Sequence, residues 1–119
     1  MGAPAAVTLA EPEMPPGSQG GELDLSWTQS AIQDFASYKL YRDTAPGVSS
    51  QWSTLVATIT NAATTTHHDT GLATMTTYYY RVYVVNTANQ ATGSNEVSGQ
   101  AMEDSPPAAV TLNAPTNVQ

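Results

Sequence analysis

The sequence of 119 residues is long enough for one ordinary domain, and only 11% of its residues are charged. Three basic side chains against ten acidic ones give a formal net charge of −7, so no surface can neutralise a run of phosphates. Nucleic-acid partners are therefore not expected, nor is membrane insertion, because no apolar run approaches about 20 residues. The chain has no cysteine, which excludes disulfides, thiolate nucleophiles and cysteine-based metal centres.

Short strands joined by turns are the structure that this composition favours, because Gly, Pro, Thr and Ser are abundant and no helical period is present. The clearest strand is Glu22–Thr28, whose strict alternation places Leu23, Leu25 and Trp27 on one face. Residues 86–93 are predicted to be a loop. In chain order the predicted strands are Pro4–Leu9, Glu22–Thr28, Ser37–Arg42, Thr54–Thr60, Thr66–Thr70, Tyr78–Asn86 and Asn95–Met102. Seven short strands at this spacing predict an all-β, antiparallel sandwich or barrel.

The longest and most β-prone of these strands is Tyr78–Asn86, around which the others can be arranged. Its side chains alternate in two sets, and only one set can face a core. The outward set contains Arg81, so the other set is predicted to point inward. The inward set consists of Tyr78, Tyr80, Val82 and Val84.

The predicted first strand recurs near the end of the chain. Pro4–Leu9, with the sequence PAAVTL, is repeated as Pro107–Leu112 after a short linker. Such a repeat indicates a tandem array, in which residues 1–103 form one domain and residues 104–119 form the linker and the start of a following, truncated repeat. The domain is expected to be a monomer, although the tail could compete for the edge of the first strand within a molecule or between molecules.

Catalytic, cofactor and metal sites are not predicted. His67 and His68 are adjacent in a strand, so their side chains point to opposite faces and cannot chelate one metal together. The ten carboxylates are scattered, and no serine or threonine has the local context of an activated nucleophile. The chain is therefore predicted not to be an enzyme and to need no cofactor.

One group of aromatic side chains is a candidate ligand or partner face. Tyr41, Tyr79 and Tyr83 fall on the outward sets of their strands, and Trp52 lies in an adjoining connection. We call these four residues the tyrosine face. Stacked tyrosines present apolar area and hydroxyl groups that suit sugar rings or a protein surface. Strands also favour aromatic residues without any ligand, because cross-strand pairs stabilise a sheet by about 0.2–1 kcal/mol each.

Together these motifs resemble a bacterial-type fibronectin type III domain over about residues 4–102. The segments that carry the resemblance are Leu25-Ser-Trp27, Tyr38-Lys-Leu40, Asp69-Thr-Gly-Leu72 and Tyr78–Asn86. The resemblance implies an immunoglobulin-like sandwich, with the strands near Pro4, Glu22 and Thr66 in one sheet and the other four in the second. It also implies that Tyr78 forms a tyrosine corner with nearby backbone. The expected core is Leu25, Trp27, Tyr38, Leu40, Leu72, Tyr78, Tyr80, Val82 and Val84.

The function that this resemblance implies is a non-catalytic spacer or interaction module of a secreted or surface-exposed multidomain protein, with the neighbouring domains of the same chain as partners. The alternative is a carbohydrate- or protein-binding module that uses the tyrosine face. Exposure distinguishes the two hypotheses. Contiguous rings open to solvent would favour binding, whereas rings covered by a loop or a neighbouring domain would favour the spacer.

Overall fold

The computed structural model describes residues 3–18 and 20–101, which contain seven strands. No helix in these ranges could cross a membrane. The repeat copy Pro107–Leu112 and the predicted domain boundary at residue 103 lie outside the described residues. The strands are β1 (Leu23–Ser26), β2 (Phe35–Asp43), β3 (Thr54–Ile59), β4 (Thr66–Asp69), β5 (Thr77–Asn86), β6 (Ala91–Gly93) and β7 (Val97–Gln100).

Two antiparallel sheets make up the sandwich. The small sheet pairs β1 with β4, and the large sheet has the order β3-β2-β5 with both β6 and β7 on the far side of β5. β6 pairs with residues 83–85 and β7 with residues 77–80, so together they form one interrupted edge. The arrangement confirms the predicted all-β, immunoglobulin-like sandwich.

The predicted first strand is wrong in one respect, because Pro4–Leu9 forms no ladder. The described part of the chain contains only isolated bridges here, from Leu9 to Trp27 and from Glu13 to Asp24. The segment does bond to the end of β1, since the N–H of Thr28 donates to the carbonyl of Thr8 at 3.0 Å and the N–H of Ala10 to the carbonyl of Ser26 at 2.9 Å. The pairing is not continuous, because four residue steps lie between the two bridges on this segment and only three on the β1 side. The backbone groups of Leu9 face away from β1 and bond to the side chain of Asn95.

The predicted loop at residues 86–93 is also shorter than expected, because β6 begins at Ala91. Asn86 closes the turn early: its Oδ1 accepts the N–H groups of Ala88 and Gln90 at 3.1 and 2.9 Å. The interruption between β6 and β7 follows from Ser94, whose hydroxyl accepts the N–H of Val82 at 3.1 Å. Seven strands were predicted and seven are present, but the sets differ: the predicted strand Pro4–Leu9 does not form, and β6 was not predicted.

The core lies between the two sheets, and all nine predicted core side chains are buried there. Trp27 packs edge to face on Tyr38, with ring centroids 5.5 Å apart. The hydroxyl of Tyr38 accepts the N–H of Ser30 at 2.8 Å and donates to the carbonyl of Ala62 at 2.7 Å. A tyrosine can therefore be completely buried here without an unpaired hydroxyl.

The tyrosine corner implied by the resemblance is present. Tyr78 is 8% exposed, and its hydroxyl accepts the N–H of Ala73 at 2.8 Å. Leu72 packs in the core beside it, and its N–H donates to the carbonyl of Gly21 at 3.0 Å. The turn before β5 is thereby fixed to the segment that precedes β1.

Candidate functional site

The tyrosine face lies on the outer side of the large sheet. β2 and β5 pair with Lys39 opposite Tyr83 and with Tyr41 opposite Arg81. Tyr41 and Tyr83 are therefore diagonal neighbours, and their rings meet edge to face at 5.5 Å. Tyr79 follows on the same side of β5, because strand side chains repeat every second residue.

Residues 44–53, which we call the covering loop, fold back toward this face. The carboxylate of Glu96 holds the loop, since its Oε1 accepts the N–H groups of Gly47 and Val48 at 2.9 and 2.7 Å. Arg81 lies on the other side of that carboxylate, with Nη2 3.7 Å from the same oxygen. Val48 is only 3% exposed, so the loop is packed against the sheet.

The four side chains of the tyrosine face consequently differ in their exposure. Tyr41 is only 9% exposed, whereas Tyr79 and Tyr83 are half-buried. The hydroxyl of Tyr83 accepts the N–H of Ser50 from the covering loop at 3.3 Å. Trp52 is 69% exposed on that loop, where its indole N–H donates to the carbonyl of Gly47 at 3.1 Å.

The space that remains between the loop and the sheet is a small open groove of about 190 Å³. Typical small-molecule sites have volumes of about 300–1,000 Å³, so this groove is smaller than most. Its polar lining comes from Lys39, Ser50, Asn89 and the two tyrosines Tyr41 and Tyr83. The groove by itself would enclose only one small group.

Gly93 of β6 explains how the ring of Tyr83 is held. A Cβ at Gly93 would lie 2.9 Å from Cε2 of Tyr83 and 2.9 Å from Cδ of Arg81. The ring and the arginine stem therefore occupy the space that a side chain would take. An aromatic ring packed over a strand glycine restores the contact that the glycine lacks.

A second group of polar residues was not anticipated from the sequence and lies inside the sandwich. Asp69 of β4 has a side chain that is 5% exposed, and both of its oxygens accept hydrogen bonds from Nη1 of Arg42 at 2.8 Å. The hydroxyl of Tyr80 donates to Oδ2 of the same carboxylate at 2.7 Å. Arg42 and Tyr80 are paired across β2 and β5, so this cluster links the two sheets.

The electrostatics of this cluster follow from burial and charge. Burial raises the pKa of Tyr80, and the hydrogen bond to Asp69 and the charge of that carboxylate raise it further. For Arg42, burial disfavours the charged form, but the hydrogen bond and the charge of Asp69 outweigh it, so the pKa is raised. A charged guanidinium, a carboxylate and a neutral phenol satisfy one another, which is the chemistry of a structural link. The alternation Tyr38, Leu40, Arg42 already placed the arginine on the inward set, and that was the available signal.

The outer side of the small sheet carries an open groove of about 350 Å³. His68 lies in it with its Nδ1 2.6 Å from Oδ1 of Asp24 and its Nε2 2.8 Å from Oε1 of Glu22. Carboxylates accept hydrogen bonds, so satisfying both contacts requires both ring nitrogens to carry protons. The hydrogen bond to Asp24 and the two negative charges accordingly raise the pKa of His68. His67 points to the opposite side and is half-buried.

Metal-binding groups do not converge in this groove. Among residues 3–18 and 20–101, no three His, Cys, Asp or Glu side chains are placed to hold one metal ion. The carboxylates of Glu22 and Asp24 are turned toward the imidazole. The arrangement is an ion-pair network across β1 and β4.

Taken together, two facing antiparallel sheets, a buried tryptophan and a tyrosine corner define an immunoglobulin-like sandwich module. Comparison with solved structures identifies the family. An Fn3-like protein from Clostridium thermocellum is 31% identical over 82% of this chain and 92% of that chain, with a TM-score of 0.58. The chain therefore belongs to the fibronectin type III family, whose domains are generally non-catalytic modules.

More distant structures share the fold. The sixth fibronectin type III domain of human fibronectin type III domain containing protein 3 has 17% identity and a TM-score of 0.64, over 91% of this chain and 94% of that domain. Pectate lyase PelI from Erwinia chrysanthemi has 23% identity and a TM-score of 0.62, over 79% of this chain. This chain spans only 27% of that enzyme's length. A scan of protein-family models and a search of curated proteins found no match.

Proposed function

We propose that this domain is a non-catalytic spacer and interaction module of a secreted or surface-exposed multidomain protein. The observation that carries the proposal is the covering loop, whose Gly47 and Val48 bond to Glu96 and whose Ser50 bonds to Tyr83. With Tyr41 only 9% exposed and Tyr83 bonded to the loop, the rings do not form the flat open platform that a polysaccharide site would need. What the face then provides is stiffness, through the cross-strand contact of Tyr41 with Tyr83.

The context of similar structures supports the same proposal. A domain of this fold occupies about a quarter of pectate lyase PelI, an enzyme also solved with tetragalacturonic acid. A comparable place beside a catalytic domain suits a chain of this size. The recurrence of Pro4–Leu9 at Pro107–Leu112 adds a second neighbour of the same kind, which supports a tandem array with residues 1–103 as one module and residues 104–119 as the linker and next start.

A spacer has to resist bending and stay soluble. The ion pair between Arg42 and Asp69 ties the two sheets together. A net charge of −7 keeps copies apart. Neighbouring domains of the same chain are the proposed partners, and the module itself is proposed to be a monomer.

The alternative is sugar or protein binding at the tyrosine face, and the exposed ring of Trp52 is the observation that favours it. An anionic sugar such as tetragalacturonate is the least suitable ligand. Of the three basic residues, Arg42 and Arg81 already face Asp69 and Glu96. Lys39 alone would have to neutralise such a ligand against the net charge of −7.

A residue-resolved NMR titration tests the proposal. The domain is titrated with soluble cellulose, chitin and xylan oligosaccharides and with tetragalacturonate. A spacer gives no shifts at millimolar ligand. Shifts confined to Tyr79, Tyr83 and Trp52, and abolished by Tyr79→Ala combined with Tyr83→Ala, would instead establish a sugar-binding module. The matched control is Gln100→Ala, a surface change on β7 that leaves the face intact.

A further inference from the structure

Residues 7–10, which we call the seam segment, close one edge of the sandwich. Val7 and Leu9 insert into the core, with 6% and 2% of their surfaces exposed. The N–H of Ala10 donates to the carbonyl of Ser26 at 2.9 Å, on the small-sheet side. In the described residues this segment has one isolated bridge in place of a ladder. The carbonyl of Thr8 also accepts the N–H of Thr28 at 3.0 Å, and the N–H of Thr8 donates to Oγ1 of Thr28 at 2.9 Å. The segment is therefore held by two apolar side chains and by hydrogen bonds of its backbone.

The large-sheet side of the segment is held by Asn95. Its Oδ1 accepts the N–H of Leu9 at 2.8 Å, and its Nδ2 donates to the carbonyl of Leu9 at 2.9 Å, as a neighbouring strand would. Further along, Pro12 lies against Gly99 of β7, where an added Cβ would be 3.2 Å from the proline ring. The seam segment therefore runs parallel to β7.

The recognition of this segment uses backbone groups and the spacing of two apolar side chains. Backbone groups are the same in any sequence. The side chains at positions 7 and 9 therefore determine which segments can bind at this edge. The repeat copy Pro107–Leu112 has valine and leucine at the same spacing, as Val110 and Leu112. It therefore offers everything that the site recognises.

We infer that the seam is a docking site for residues 107–112 of a second copy of this chain. Docking a donated segment in place of a module's own is the chemistry of donor-strand complementation and of domain swapping. Asn95 supplies the two hydrogen bonds, and the pocket of Leu9 takes Leu112. In an array, the donor is the first segment of another module.

A second copy is favoured as the donor because the tail of the same copy is short. Nine residue steps lead from Ala101 to Val110 and span at most about 30 Å when fully extended. Within that length the tail would have to reverse direction twice to lie parallel to β7 on its own seam. A donor from another molecule is free of this constraint.

We expect the intact chain to remain monomeric at ordinary concentration. Its own seam segment is tethered by a short connection, which gives an effective concentration of about millimolar. The resident segment and the donated copy would make the same contacts. Replacing one by the other therefore gains no free energy until the resident segment is weakened. Weakening it alone should convert the chain into a head-to-tail assembly.

The experiment uses the full chain with Leu9→Asp, which spoils the resident segment and leaves the copy at Leu112 intact. Mass is followed by sedimentation from micromolar to millimolar concentration. The expected result is a mass that rises at least twofold with concentration. A folded Leu9→Asp variant that stays monomeric throughout would overturn the inference.

Two matched variants isolate the donor. Leu112→Asp alone should remain a monomer, and Leu9→Asp combined with Leu112→Asp should lose the assembly. An assembly that survives in the double variant would show that exposed core, and not the donor segment, drives association. Circular dichroism establishes that each variant is folded.

A milder change covers the case in which Leu9→Asp does not fold. ¹⁵N-labelled Leu9→Ala is titrated with a peptide of residues 107–113. The side-chain amide of Asn95 should shift, and a peptide with Asp at the Leu112 position should have no effect. The absence of any shift with the unaltered peptide would overturn the inference.

Discussion

Asp69 is a carboxylate inside a sandwich of otherwise apolar side chains. Its cost of burial is offset because Arg42 and Tyr80 supply three hydrogen bonds between them. The ion pair of Asp69 with Arg42 joins β4 to the large sheet. Within its own sheet, β4 has β1 as its only strand partner in the described residues. Removing the negative charge leaves the guanidinium without a counter-charge at the edge of the core.

Replacing Asp69 with asparagine keeps the shape and removes the charge. We expect Asp69→Asn to lower the free energy of unfolding by about 3 kcal/mol, toward the lower end for a broken buried pair because part of Arg42 stays in solvent. Tyr80→Phe removes one hydrogen bond to a charged group and should cost about 1.5 kcal/mol. Urea unfolding measures both, and equal effects of the two changes would contradict the proposed link.

His68 gives the small sheet a dependence on pH. Its contacts with Glu22 and Asp24 require the imidazolium form, and its pKa is raised in the folded protein. A raised pKa means that the folded state holds the proton more tightly than the unfolded chain. The resulting stability is fully present below the unfolded pKa of about 6.5 and is lost as the pH rises through the folded pKa.

We therefore expect wild type and His68→Gln to differ most in unfolding free energy near pH 5–6, below the unfolded imidazole pKa of about 6.5. The difference should shrink as the pH rises above the folded pKa. NMR titration of the imidazole gives that pKa directly, and Asp24→Asn should lower it. A pKa that is unchanged by Asp24→Asn would disprove the assigned cause.

Sequence reasoning succeeded where the pattern of one segment contained the answer. Tyr78 could be placed because its turn leucine and its alternation lie in one stretch of chain. Asp69 could not, because its partner Arg42 comes from a strand of the other sheet, and alternation shows which way a side chain points but not what faces it. Alternation likewise placed Tyr41 on the tyrosine face but could not show that the covering loop, residues 44–53, folds back toward it.

At the scale of elements, the covering loop is set by a side chain from the far edge of the same sheet. Glu96 lies just before β7, yet it holds the N–H groups of Gly47 and Val48. Hydrogen bonds from two N–H groups to one charged oxygen fix the conformation of the loop. The short sequence of the loop would not fix that conformation by itself. The loop and the sheet edge therefore depend on each other.

Glu96→Ala removes that anchor. We expect faster hydrogen exchange at residues 47–53 and greater exposure of Tyr41, because the loop loses about two charge-assisted hydrogen bonds. The core should remain intact, since Glu96 lies on the surface side of the sheet. Exchange mass spectrometry measures the loop, and unchanged protection there would show that packing of Val48 alone holds it.

The edge elements show why strand prediction erred. Residues 4–9 have the composition of a strand, but a strand also needs a partner with free backbone groups along its length. On one side the pairing with β1 is reduced to isolated bridges, and on the other the partner is the side chain of Asn95, which satisfies a single residue. Conversely, Ala91–Gly93 lacks a strand-like composition and pairs because Asn86 has already turned the chain beside β5.

For the molecule as a whole, the two sheets differ in size, with two strands in one and five in the other. This difference raises the question of whether they unfold together. A two-stranded sheet is at best marginally stable in water, so β1 and β4 depend on the large sheet. Trp27 packs on Tyr38 across the core, and Asp69 bonds to Arg42 across it. Both sheets also share one apolar cluster. These contacts favour a single cooperative transition.

The two tryptophans allow this to be measured. Trp52 is 69% exposed, so Trp52→Phe leaves the buried Trp27 as the only tryptophan with little cost. Its fluorescence reports the small sheet and the core, and far-ultraviolet circular dichroism reports mainly the larger sheet. We expect the same urea midpoint from both probes, because neither sheet can bury its inner face alone. An earlier fluorescence transition would mean that the small sheet and the seam open first, and Asp69→Asn should then widen the gap between the midpoints.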